Sequence, residues 1–114
     1  MIGETLAYVA LVVSDVEAAA AMFQRDFGLR RNDYTVGGSE RRAPVLSVGA
    51  SALALFAPGD PFIGGQSKLA VHHIALGAKD PSSAASAAVA AGIPIARPEP
   101  SDGLNGARRW LLSP

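Results

Sequence analysis

The chain repeats itself, and that repeat limits the folds open to it. At an offset of 65 residues Ala7–Ala21 lies over His72–Ser86, with identities at Ala10/Ala75, Leu11/Leu76, Asp15/Asp80, Ala19/Ala84 and Ala20/Ala85. Alanine is abundant here, so the Ala-Leu step followed by Asp at equal distance carries most of the signal. After a one-residue gap both copies reach a glycine and an aliphatic residue, Gly28-Leu29 and Gly92-Ile93.

Each copy opens on an apolar run that reads as a strand, Leu6 to Val13 and Ala70 to Ala78. Asp15 or Asp80 follows, a carboxylate suited to accept from the free N–H groups of a first helical turn. Pro81 then occupies the first helical position, where its missing N–H costs nothing. Val16, Ala20, Phe23 and Phe27 form one helical stripe, and Ala84, Ala88 and Ala91 form another. Gly28 and Gly92 stand where a left-handed helix end is wanted. Three further strands are expected in the first copy, over Arg30–Val36, Arg42–Val48 and Ala52–Ala57, parted by turns at Gly37-Gly38 and Gly49-Ala50. The second copy offers Ile93–Arg97, a Pro- and Gly-rich loop through Gly106, and Arg108–Leu112.

The organisation is therefore one α+β domain over 1–114. Unit one covers about 5–58, a linker about 59–69, and unit two about 70–114. The second unit is one strand short, since the counterpart of Ala52–Ala57 would fall beyond Pro114. A length of 114 residues, 49% of them apolar, suits one globular domain. Ten basic residues balance ten acidic ones, which gives no global field for nucleic acid or an anionic membrane. The pairs Arg30-Arg31, Arg41-Arg42 and Arg108-Arg109 read as solvated strand ends. The absence of cysteine excludes disulfides, zinc ribbons and thiol nucleophiles, and suits a cytoplasmic setting. The first apolar run, broken by Ser14 and Asp15, is too short for a membrane span.

A duplicated βαβββ pattern carrying Val71-His72-His73-Ile74-Ala75, Lys79-Asp80, an alanine helix, Ala91-Gly92-Ile93 and Gly106–Pro114 resembles the glyoxalase, bleomycin-resistance and extradiol-dioxygenase superfamily, also called the vicinal oxygen chelate fold. Its methylmalonyl-CoA epimerase-type branch is the nearest likeness. The first copy matches through Leu6–Val13, Asp15 and Phe23–Leu29. The resemblance implies a curved mixed sheet forming a cleft, and often a divalent metal held by one side chain from the first and one from the fourth strand of each unit. Those positions fall here on Tyr8, Ala54, His73 and a residue past Pro114. One good ligand in four does not make a metal site, so no metal or other cofactor is expected.

Alternation along the strands predicts that Val9, Leu11, Val13, Leu53, Leu55, Ile74 and Leu76 pack beneath the helices. Tyr8, Ala54 and His73 then face the other way, on a surface lined with small residues that leaves room for a ligand. The same parity puts His72 opposite His73. The imidazole of His73 admits three readings: metal ligand, general base or hydrogen-bonding group. Glu40 falls roughly where the epimerase-like branch places a carboxylate base, and as a hairpin-turn residue it is equally a solvated charge. Tyr8 is a candidate ligand contact or a plug in the space of a metal. Trp110, the sole tryptophan, is a core residue or a stacking platform. The candidate catalytic residues are thus His73 and Glu40, and the candidate substrate contacts Tyr8, Ala54, His73 and Trp110. The expected function is small-molecule binding or catalysis next to a carbonyl by an epimerase (isomerase) or lyase, and the alternative is a metal-free sequestering protein of the bleomycin-resistance type. A homodimer is the expected assembly.

Overall fold

Helix α1, Val16–Phe27, shows how closely local chemistry sets the element ends. Asp15 accepts from the Ala18 N–H at 3.0 Å, and Gly28 closes the helix at φ 68°. The computed structural model describes residues 3–97 and 99–113. Around α1 run β1 (Thr5–Val12), β2 (Arg30–Thr35), β3 (Arg42–Val48) and β4 (Ser51–Phe56), followed by a 3₁₀ turn at Pro61–Ile63. The second unit supplies β5 (Val71–Gly77), α2 (Pro81–Ala90) and the two-residue strands β6 (Ser101–Asp102) and β7 (Arg108–Arg109). A five-stranded mixed sheet has the order β2-β3-β4-β1-β5, with β1 parallel to β4 and antiparallel to β5.

The two faces of unit one separate as alternation requires. Leu46 and Leu55 are buried against Ala20 of α1, with Leu11, Val13, Val16, Phe23 and Leu53 around them. On the opposite face Ala10, Val12, Ala43, Val45, Ala54 and Phe56 form a second cluster. That face is not open. Ile63 of the 3₁₀ turn and Leu104 of the β6–β7 connection cover it, both at most 7% exposed. The segment read as a linker therefore carries a core plug. Asp60 caps its turn by accepting from the Phe62 N–H at 2.8 Å, and Pro61 follows in the first turn. The same Asp-Pro pairing starts α2.

Unit two departs further from expectation. Ile74 and Leu76 are 59% and 62% exposed rather than sealed under α2. The reason is side-chain size: α2 presents alanine methyls and serines, whereas α1 presents Val16 and Phe23. An alanine methyl covers far less of a neighbouring apolar side chain than a Val or Phe side chain does. Phe27 also leaves its expected stripe and is 66% exposed. The strand expected at Ile93–Arg97 shrinks to one bridge, Ile95 to Leu112, and the loop through Gly106 contains β6. The β6–β7 hairpin folds back onto unit one. Gly37 N–H donates to Gly103 O at 3.0 Å, Asn105 N–H donates to Thr35 O at 2.9 Å, and Val36 bridges Leu104.

Candidate functional site

Where β1 meets β5, the ladder places Tyr8 opposite Ala75 and Ala10 opposite His73. The Tyr8 hydroxyl and His73 Nε2 are 3.1 Å apart, and their rings meet edge to face with centroids 5.5 Å apart. His73 also lies 6.2 Å from the Phe62 ring, which stacks on Phe56 at 5.2 Å. Over Phe62 sits the Arg109 guanidinium, 3.9 Å from the ring centroid. Strand β1, the 3₁₀ turn, β5 and β7 thus bring Tyr8, Phe62, His73 and Arg109 to one rim of the sheet.

His72 joins them, against the parity expectation. Pairing skips from Ala10↔His73 to Leu11↔Val71, so His72 is the extra residue of a β-bulge. A bulge breaks the alternation of side chains and re-aims them. The His72 and His73 Nδ1 atoms consequently approach to 2.7 Å, and the rings lie 5.0 Å apart. At such a contact one nitrogen carries the proton and the other accepts it. The chain therefore runs either from the Tyr8 hydroxyl through His73 to His72 or in reverse.

Burial governs the electrostatics of this rim. It depresses the pKa of His73 to about 4, with electrostatic repulsion from the neighbouring His72 and Arg109 acting in the same direction. His73 is accordingly a neutral imidazole at pH 7. Burial raises the pKa of Tyr8, against the opposing pull of Arg109. It lowers that of Arg109, which stays charged because guanidinium is so strong a base. Beside the rim a pocket of about 400 Å³ opens between Ser39 and Arg41 of the β2–β3 turn, Phe62, Asp102 and Arg109. Arg41 is held in place by Asp60 through two contacts of 2.7 and 3.0 Å.

Of the residues singled out in the sequence, Tyr8 and His73 are in contact. Ala54 is fully buried in the sheet-face cluster, so a ligand reaches it only if the covering segments move. Glu40 is exposed on the β2–β3 turn, between the pocket-lining Ser39 and Arg41. Trp110 is half-buried and belongs to neither core cluster. Phe62, His72 and Arg109 were not among the sequence candidates. Asp60-Pro61 is a capping signal that marks the turn presenting Phe62. Nothing in the local sequence marks the bulge or sends Arg109 inward.

The donor set does not fit a divalent metal. The two first-strand positions hold Tyr8 and His73, bonded to each other, and the fourth-strand position holds the methyl group of Ala54. Among the described residues no three His, Asp or Glu side chains converge on one point. No helix among them is long and apolar enough to cross a membrane.

Comparison with known proteins agrees with this architecture. A hypothetical protein from Bacillus halodurans C-125 superposes with a TM-score of 0.77 at 20% identity, covering 96% of this chain and 84% of its own. A variant of Streptomyces coelicolor methylmalonyl-CoA epimerase, in complex with 2-nitronate-propionyl-CoA, gives 0.78 at 22% identity, with 98% and 89% covered. Methylmalonyl-CoA epimerase from Mycobacterium tuberculosis gives 0.72 at 16% identity, with 99% and 89% covered. These likenesses concern the fold. No curated protein matches the sequence. The family profile of the Glyoxalase/Bleomycin resistance protein/Dioxygenase superfamily matches residues 5–109, nearly the whole chain, and the chain belongs to that superfamily.

Proposed function

We propose that this protein binds a small carbonyl compound at the Tyr8–His73 rim and moves a proton on the carbon beside the carbonyl, as an epimerase, or a lyase, without a metal. The observation that carries this reading is the 3.1 Å contact between Tyr8 and His73, set beside Phe62 and Arg109 at the edge of a pocket. Epimerisation needs one group to take the proton, one to return it on the other face, and a donor for the enolate oxygen. Glu40 and His73 are assigned to the proton and the Tyr8 hydroxyl to the oxygen. Neutral His73 takes the proton from the carbon when the substrate displaces Tyr8 from Nε2, and Glu40 in its acid form gives one to the opposite face; His73 then loses its proton to water and Glu40 regains one. Trp110 is assigned to the ligand's surroundings, and Ala54 joins them only when the segments carrying Ile63 and Leu104 move aside.

The second reading is a metal-free protein that sequesters its ligand without turnover. It is favoured by the weak basicity of His73 and by the exposed position of Glu40. Methylmalonyl-CoA incubated with the protein in D₂O separates the two. Deuterium entering C2 above the protein-free rate, and suppressed in Glu40→Gln, supports the enzyme. Binding without exchange supports the sequestering protein. We also propose a homodimer in a cytoplasmic setting, on the grounds of the exposed apolar β5 edge and the cysteine-free composition.

A further inference from the structure

Arginines in this chain divide into two groups, and Arg109 belongs to neither. Arg25, Arg31 and Arg41 are paired with carboxylates. Arg30, Arg42, Arg97 and Arg108 are exposed and solvated. Arg109 is half-buried, and no carboxylate among the described residues pairs with it. A cation withdrawn from water without a counter-ion is costly, and a structure that holds one there invites an anion.

The group is also held in a fixed pose. Its face lies on Phe62 at 3.9 Å, and its Nε–H donates to Ser101 Oγ at 3.2 Å. Stacking uses the flat face and the Nε bond uses one side, while the Tyr8 hydroxyl interacts with the guanidinium; a neutral hydroxyl occupies at most part of the terminal N–H edge and supplies no counter-charge. A planar fork of this kind matches a carboxylate in two parallel hydrogen bonds. The adjoining pocket, about 400 Å³, has room for a small molecule. Its other charges decide the ligand's charge. Arg41 is neutralised by Asp60, whereas Asp102 lines the pocket and repels a second negative charge. We propose that the outer edge of Arg109 is the binding site for a singly charged carboxylate, seated in the pocket between the β2–β3 turn, Phe62 and the β6–β7 hairpin. This rests on reading the rim as a ligand site, and it adds the chemical class of the ligand.

Sodium propionate is the probe, titrated at constant ionic strength while the Arg109 Nε–H and Phe62 signals are followed by NMR. The expected result is saturable shifts at both residues. Affinity should fall roughly ten-fold or more in Arg109→Gln, given the usual strength of charge-assisted bonds. It should hold in Arg108→Gln. Should Arg109→Gln lose its dispersed amide spectrum, Arg109→Lys keeps the charge without the fork and should also bind more weakly. Shifts that do not saturate, unchanged affinity in the Arg109 variants, or inorganic phosphate binding as tightly as propionate would overturn the proposal. Propionate binding without proton exchange in methylmalonyl-CoA upholds it and removes the catalytic reading alone. Exchange without propionate binding removes this inference alone.

Discussion

His73 concentrates most of what is distinctive at the residue scale. Its pKa near 4 in the folded chain compares with an ordinary 6.5, so between these values the unfolded state binds more protons. The stabilisation from keeping the ring neutral is complete above pH 6.5 and is lost as pH falls toward 4. Its size is on the order of 1 kcal/mol once the ring's partial solvent contact is allowed for. Denaturant unfolding at pH 7.5, 5.5 and 4 should show this slope in the natural protein and a shallower one in His73→Phe. Identical slopes would mean that the imidazole titrates normally. Metal independence is expressed at the same scale. With Tyr8 bonded to His73 and a methyl group at Ala54, these positions offer no donor set through which a metal would stabilise the native state by mass action, so EDTA should leave the thermal midpoint unchanged. A midpoint lowered by the chelator would contradict this. The bulge at His72 shows where sequence reading stops. A period of two locates His73 from its strand neighbours, but one inserted residue cancels the rule, and its insertion depends on how β1 and β5 register.

At the scale of elements, the two helices make a natural comparison. Both start at an Asp cap, yet α1 buries Leu46 and Leu55 while α2 leaves Ile74 and Leu76 largely in solvent. Leu55→Ala should cost roughly 2–5 kcal/mol through the cavity it opens beneath α1. Leu76, expected beneath the helices, is instead exposed, so for Leu76→Ala a change within about 1 kcal/mol is predicted. Chemical denaturation of both variants checks the contrast. Gly28→Ala should destabilise by about 1 kcal/mol, since φ 68° is strained for any residue with a Cβ. Unit one was legible because capping, turn and alternation signals agreed along its length. Unit two was legible in its elements as far as the left-handed helix end at Gly92, though not in the packing of Ile74 and Leu76. Beyond Gly92 the chain packs by long-range contacts, Leu104 on Val36 and Arg109 on Phe62, which no short window encodes.

Across the whole molecule, β5 ends the sheet with an edge that no other strand among the described residues pairs, and Val71, Ile74 and Leu76 stand exposed along it. Free N–H and C=O groups beside apolar side chains favour pairing with another strand. A second copy of the chain would satisfy both, in the symmetric dimer proposed above. Analytical ultracentrifugation at micromolar concentration should show the dimer, and Ile74→Lys should shift it toward monomer. A clean monomer in the natural protein would exclude this assembly. The mixed sheet, its covered face and the polar rim at its edge are the frame into which every assigned role must fit. Whether His73 belongs to that rim as a site, or to the core as support, is the central question. Methylmalonyl-CoA titration of His73→Ala, paired with its denaturant unfolding, answers it directly. The account predicts binding weakened roughly ten-fold or more with stability within about 1.5 kcal/mol of the natural protein. Unchanged binding, or unfolding as severe as that of Leu55→Ala, would contradict it.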